Sequence, residues 1–427
     1  MNERDIEALL AKAIEGAEAD ETLAHYAERR ELVVRYAENV VIQPSALETA
    51  QLSVTASFGR QSGTAATGDL SPEGLRTCRK RAEAIARSAP ADPEHMPLLG
   101  PQKYMETHGY SEATAALDPQ DCVGIAAQAI AAAREKSLAL SGSFSASAGA
   151  AAMANSKGLF GSHRRTHARL LATGFAGSAA GWAQQVETDI RRIDPRRAAQ
   201  RAMQKALACA DPIAVAPGRY TVVLEPAAAD DFFVPLFWGM NARAADEGRS
   251  PLSGKLGRQI GLPIVSMATD PSDPQCPGAP FVEGGLAQKR VEWIKDGRLL
   301  HLVANRYWAQ KTGREPTGQP VNILMSGGAD DVEGLVRRVE RGLLVTRFFY
   351  IRRVDPMTLL NTGMTRDGLF LIEAGRLSRG VKNMRWNDSP LDALWRIEAL
   401  GRPERSGPAL MPAVLARDFN FSSATEF

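Results

Sequence analysis

Val291-Glu-Trp-Ile-Lys-Asp-Gly-Arg-Leu-Leu-His-Leu-Val303 gives the second half of this 427-residue chain its strand character. Short apolar runs flank Asp296-Gly297, a two-residue turn whose members both tolerate positive φ and so match the twist of paired antiparallel strands. Leu369-Phe-Leu-Ile-Glu-Ala-Gly-Arg-Leu377 repeats the device with Ala374-Gly375 at the bend. Between these hairpins, Val332, Leu335, Val336, Val339 and Leu343 recur at helical spacing, which predicts one long helix over 330–344 with Asp330 as its N-cap. Ala216-Pro217-Gly218 interrupts the chain just before the strand-like Tyr220–Leu224, so residues 216–427 read as an antiparallel β-rich, barrel-like domain carrying that helix.

The first half reads as α/β layers. Ile6, Leu9, Leu10, Ala13, Ile14 and Ala17 form the apolar face of an opening helix, and residues 31–36 and 51–59 alternate like strands. Ser71-Pro72 supplies an N-cap and an N1 proline for a second helix with Leu75, Cys78, Ala82 and Ile85 as its buried stripe. A connector rich in proline (Pro90, Pro93, Pro97, Pro101) leads to Asp118-Pro119, which starts an Ala-rich helix to about 136. Strand patterns then begin at Ser141 and Thr166, and a further helix is predicted over 195–210. The expected class is α+β: an N-terminal α/β region (1–115), a central α/β region completing it (116–215), helices on a curved and mostly antiparallel sheet, and the C-terminal β-rich domain (216–427).

Composition narrows the function classes. Lys and Arg total 51 against 49 Asp and Glu, so a net charge of +2 offers no global attraction to phosphate or an anionic membrane. Cys78, Cys122, Cys209 and Cys276 lie far apart with no paired spacing, which fits a reducing cytoplasm. Neither an export signal nor an uninterrupted apolar run of transmembrane length is visible.

Few residues carry a chemical signature. Among six histidines only His163 and His167 stand four apart, and Arg164 occupies the place where a zinc protease needs its Glu; a strand would also turn both histidines to one face as ordinary hydrogen-bonded residues. Asp230-Asp231, Asp246-Glu247 and Asp330-Asp331 are adjacent carboxylates, which point apart on a strand and do not face each other on a helix. Asp230-Asp231 are expected as first-turn charges ahead of the apolar Phe232–Trp238 run, itself read as core or interface. Gly177–Gly181 lacks the offsets of a nucleophile elbow, Ser250–Leu256 lacks the first glycine and the final hydroxyl of a phosphate loop, and the Arg191–Arg201 cluster reads as a solvated helix start.

Gly248–Ile260, Glu340–Arg347 with Val354-Asp355-Pro356, Thr365–Glu373 and Val381–Pro390 resemble the TldD/PmbA family, also described as modulators of DNA gyrase; Asn155-Ser156-x-Gly158 and the order of the regions extend the likeness along nearly the whole chain. The resemblance implies a cytoplasmic metallopeptidase of two related chains acting on short or unfolded peptides. One chain, of TldD type, bears a His-Glu-x-x-x-His helix and a late cysteine as metal ligands; the other, of TldE/PmbA type, lacks them. Reading without gaps from Val222-Val-Leu-Glu-Pro226, that motif falls on Val234, Pro235 and Gly239, and the last cysteine is Cys276, far from the C-terminus. The expectation is therefore a non-catalytic TldE/PmbA-like subunit with no cofactor of its own, zinc on a TldD-type partner, and an extended peptide as substrate, with no direct nucleic-acid or membrane contact. The alternative is a homodimeric peptide-binding or scaffold protein without proteolysis. Phe232, Phe233, Phe237 and Trp238 are the candidates for packing or lining the shared chamber, with Arg366, Asp367 and Asn383 near its rim and ordinary core packing as the competing reading.

Overall fold

The structure, a computed structural model, describes residues 1–425. Its first half contains α1 (Glu3–Ile14), β1 (Glu21–Ala37), β2 (Val40–Phe58), β3 (Gln61–Thr67), α2 (Pro72–Ser88), the single turn α3 (Glu112–Ala115), α4 (Pro119–Arg134), β4 (Ala139–Asn155), β5 (Phe160–Ala176), β6 (Ala179–Glu187) and α5 (Pro195–Ala208). The six strands form one antiparallel sheet in the order β3-β2-β1-β4-β5-β6. A unit of helix, three strands and helix thus occurs twice, and the order mirrors itself about the β1/β4 pair.

Local chemistry explains the helix starts: Asn2, Ser71, Asp118 and Asp194 each cap a first turn, three of them followed by proline. Even-numbered residues of the central strands, such as Tyr26, Leu32, Val34, Phe144 and Leu170, are buried beneath the helices in two apolar clusters. Odd-numbered residues face away from them, as strand alternation requires. Ile85, expected in the buried stripe of α2, is exposed; Leu75, Cys78, Ala82 and Ala86 form that stripe. The strand segments expected at 31–36 and 51–59 are parts of two much longer strands, joined by a turn with positive φ at Glu38 and Asn39. That turn lacks a glycine, and the Asn39 side chain secures it by bonding Leu138 O and Leu140 N.

The second half opens with β7 (Gly218–Leu224), α6 (Pro226–Phe233), α7 (Ala242–Asp246) and β8 (Met267–Thr269). Short strands β9 (Phe281–Val282) and β10 (Leu286–Ala287) precede β11 (Val291–Lys295), β12 (Arg298–Leu299), α8 (Arg306–Thr312) and β13 (Ile323–Met325). Then come α9 (Val332–Val336), β14 (Arg341–Val345), β15 (Phe348–Asp355), β16 (Leu360–Thr365), β17 (Leu369–Glu373) and β18 (Arg376–Gly380). The chain closes with β19 (Met384–Asp388), α10 (Pro390–Ala393), β20 (Ile397–Ser406) and β21 (Ala409–Ala424).

Strand β21 is the hub: it pairs with β7, β13, β19 and β20 along its length. The large sheet built on it is open rather than barrel-closed, and it mixes antiparallel pairs with two parallel ones, β7 with β14 and β13 with β21. Both expected hairpins form, with positive φ at Asp296-Gly297 and Ala374-Gly375. The expected long helix over 330–344 does not form. Asp331, not Asp330, caps the short α9, and residues 341–345 are a strand between β7 and β17. The apolar spacing of this segment suits both states, and burial of Leu343, Leu344 and Val345 between two neighbouring strands decides it.

Candidate functional site

Glu225-Pro226 ends β7 and opens α6, which stops at Phe233 because Pro235 brings no backbone N–H and crowds a continuing helix. Residues 234–239 instead form a 3₁₀ turn carrying the three positions of the expected motif. Val234, Pro235 and Gly239 offer no ligand atom, and a Cβ at Gly239 would stand 3.1 Å from side-chain carbons of both Leu359 and Pro251. Among the described residues no three His, Cys, Asp or Glu side chains converge where a metal ion could be held.

The aromatic residues of this segment divide. Phe232 and Phe233 are fully buried, and Phe232 packs against Phe348, Trp386 and Phe419 with ring centroids 5.1 to 6.3 Å apart. They are core, contributing about 1.5–3 kcal/mol each, and this corrects their reading as chamber-lining or interface residues. Phe237 is half-buried with its ring edge-on to Trp293. Trp238 is 45% exposed, and the Arg353 guanidinium lies 4.7 Å above its ring.

Arg353 belongs to β15, whose sole ladder partner among the described residues is β16. The outer edge of β15 therefore presents unpaired backbone groups. A bulge at Tyr350, with φ of 57°, separates the two paired stretches of this strand. Phe349 is 41% exposed and Tyr350 56%, and Val354 and Met357 are exposed beside them. Arginines lie over these rings too, Arg366 over Phe349 and Arg352 over Tyr350. The result is an apolar, arginine-studded edge strand next to the turn over Val234–Gly239, able to accept an extended chain or a partner surface.

The remaining expected residues take separate roles. Arg366 is on this surface. Asp367 is mostly buried, pairs with Arg347 and sits at φ of 55° in the β16–β17 turn. Asn383 is structural: it accepts from Thr365 Oγ1 at 3.3 Å, and its carbonyl receives the Thr425 N–H.

A polar cluster escaped the sequence reading. Asp230 and Asp231 lie in the last turn of α6, not the first, and are mostly buried. Asp231 accepts the Phe348 N–H at 3.0 Å, and Asp230 accepts the Ser406 hydroxyl at 2.7 Å while Ser406 in turn receives Gln184 from β6. Burial pushes Asp230 up to about 6, against Ser406 and Arg169, which pull it down. Burial, with the neighbouring Asp230 charge, pushes Asp231 up to about 7. The pair holds a proton in the neutral range, but each carboxyl is engaged in tying strands together. Adjacent aspartates carry no sequence signal for this, because which helix turn they occupy depended on where α6 begins.

The comparisons with known proteins agree with this architecture. Residues 112–210 match the model of the PmbA/TldA metallopeptidase central domain and residues 217–423 that of the C-terminal domain. A comparison with curated proteins finds no match. Among solved structures, TldE from Thermococcus kodakarensis is similar with a TM-score of 0.87 at 17% identity, covering 98% of this chain and 99% of that one. A proposed modulator of a DNA gyrase from Thermotoga maritima gives 0.86 at 21% identity with the same coverages. Another proposed modulator of DNA gyrase, from Bacteroides thetaiotaomicron, gives 0.85 at 20% identity, covering 99% of both chains. With two domain models spanning most of its length, the chain belongs to the TldD/PmbA metallopeptidase family.

Proposed function

We propose that this chain is the metal-free, TldE-like subunit of a two-chain metallopeptidase, pairing with a TldD-type subunit that bears His-Glu-x-x-x-His and the zinc. The observation that carries this reading is the blank motif: Val234, Pro235 and Gly239 supply neither a ligand nor a proton-transfer group, while the family fold around them is intact. A subunit of this kind contributes walls rather than chemistry. Trp238 and the β15 edge form the surface that meets the partner or an extended peptide, since main-chain pairing at an edge strand needs no particular side-chain sequence.

The test is native mass spectrometry with metal analysis of the tagged chain purified from its own host. The expected result is a one-to-one complex with a related chain, one zinc per complex remaining with that partner on dissociation, and peptide hydrolysis only by the complex. A metal-free homodimer that binds peptides without cleaving them would replace this reading with a scaffold role, and stoichiometric zinc on this chain alone would overturn it.

A further inference from the structure

The face of the N-terminal sheet turned away from its helices is not covered evenly. Where β4 and β5 approach the second half, a cleft of about 510 Å³ opens, lined by Arg29, Ser147, His163, Arg165, His167 and Arg405 among others. Among the described residues no Asp or Glu lines it. Strand register places Arg29 of β1, Gly149 of β4 and Arg165 of β5 in one row, so two arginines flank a residue without a side chain. At the spacing of adjacent strands their Cα atoms stand about 10 Å apart. The next row is Glu31, Ser147 and His167. Along β4 the residues on this face are small (Ser143, Ser145, Ser147, Gly149, Ala151), which leaves a trough running with the strand.

The charges around it are only partly answered. Arg29 is held by Glu31 at 2.8 Å. Arg405 donates to Thr188 Oγ1 and to Gly407 O, both neutral acceptors. Arg165 has no hydrogen-bond or ion-pair partner among the described residues, and no carboxylate there stands within ion-pair distance of either Arg165 or Arg405. His167 reports the resulting positive potential: burial first, then Arg405, Arg169, Arg29 and Arg165, hold it down to about 4. His163, with Phe281 packed edge-on to its ring, is likewise neutral at pH 7, and its buried Nδ1 has no partner.

We propose that this cleft binds carboxylates of an acidic, extended peptide segment, with Arg165 and Arg405 as the anion-pairing groups and the small-residue trough of β4 accommodating the peptide backbone. The assignment rests on the reading of the chain as part of a peptide chamber and names the class of peptide it selects. Guanidinium groups match carboxylates in paired hydrogen-bond geometry. Single-stranded nucleic acid fits less well, because among the described residues no Phe, Tyr or Trp lines the cleft as a stacking platform for bases.

The test uses the full chain and a short fluorescein-labelled peptide alternating Glu and Ser, compared by fluorescence anisotropy with its Gln-for-Glu counterpart. The Glu peptide is expected to bind at least about tenfold tighter, with the gap closing as salt is raised. Arg165→Gln is expected to remove about tenfold of that affinity with no change in Tm, because Arg165 supports nothing in the fold. Arg87→Gln is the control: that side chain lies on α2, over the Phe58 ring and paired with Glu18, outside the cleft, and its loss leaves binding unchanged. Equal binding of the two peptides, undiminished binding by Arg165→Gln, or stronger binding of an oligothymidine than of the Glu peptide would each overturn the assignment. Acidic-peptide preference in a chain that never assembles with a metallopeptidase partner would sink the subunit reading and keep this one; assembly without the preference would do the reverse.

Discussion

Asp231 illustrates how a single carboxyl reads differently in a sequence and in a fold. Its pKa of about 7, and that of Asp230 at about 6, stand above the unfolded value near 4, so the folded chain binds more protons than the unfolded one between those limits. The stability contributed by the protonated pair is fully present below pH 4 and is lost as pH rises through 6 and 7. Asp231→Asn keeps an oxygen acceptor for the Phe348 N–H without the charge. We predict that the variant gains stability relative to the parent chain on going from pH 5 to pH 8, by on the order of 2 kcal/mol, read from urea unfolding at the two pH values. Parallel pH profiles for both proteins would show that the pair does not titrate there. Gly239 supports a second prediction. Joint replacement Val234→His, Pro235→Glu and Gly239→His gives no zinc-dependent peptide cleavage and lowers Tm, because a side chain at 239 displaces Leu359 or Pro251. Robust zinc-dependent turnover by the triple variant is the outcome that refutes it.

At the scale of elements, the 3₁₀ turn after α6 and the β15 edge act together. The turn aims Trp238 outward, and the bulge at Tyr350 opens β15 so that Phe349 and Tyr350 also reach solvent. Exposed aromatic side chains stacked with arginines have the composition of interface anchors rather than of an inert surface. Trp238→Ala is predicted to weaken assembly with the partner by about 2 kcal/mol or more while leaving the Tm of the isolated chain within a degree or two, since a half-exposed side chain contributes little to folding. Isothermal titration of the two purified chains measures the first, and thermal melting the second. A large fall in Tm with an unchanged Kd would assign Trp238 to packing instead.

At the scale of the whole molecule, the halves are joined by polar as well as apolar contacts. Lys205 of α5 donates to Glu225 at 2.7 Å, and Arg201 reaches the same oxygen at 3.1 Å, at the junction where β7 passes into α6. Burial pulls Lys205 down, and Glu225 opposes that shift. Gln184 to Ser406 and Arg405 to Thr188 extend the seam. Removing the anion leaves a buried, uncompensated ammonium, so Glu225→Ala is expected to cost about 3–5 kcal/mol in urea unfolding. A loss below about 1 kcal/mol would mean that Lys205 escapes to water and that the seam does not depend on the pair. The seam also sets the cleft over β4 and β5, because Arg405 reaches that cleft from the strand that carries Ser406.

The amino-acid sequence by itself determined what depends on near neighbours. Helix starts at Ser71 and Asp118 and both two-residue hairpins were legible because capping oxygens and positive-φ tolerance act within a few residues. That Val234, Pro235 and Gly239 carry no metal-ligating or proton-transferring atom is a property of the side chains alone. Tertiary structure decided the rest. Residues 341–345 became a strand because β7 and β17 stand on either side, though their apolar spacing also suits a helix. Phe232 and Phe233 went to the core and Trp238 to the surface because a proline ended α6 one turn early. The twofold repeat in the N-terminal sheet, the raised pKa values of Asp230 and Asp231 and the arginine-lined cleft all depend on residues far apart in the chain, from Arg29 to Arg405 in the last case, and their charges interact only after folding brings them together.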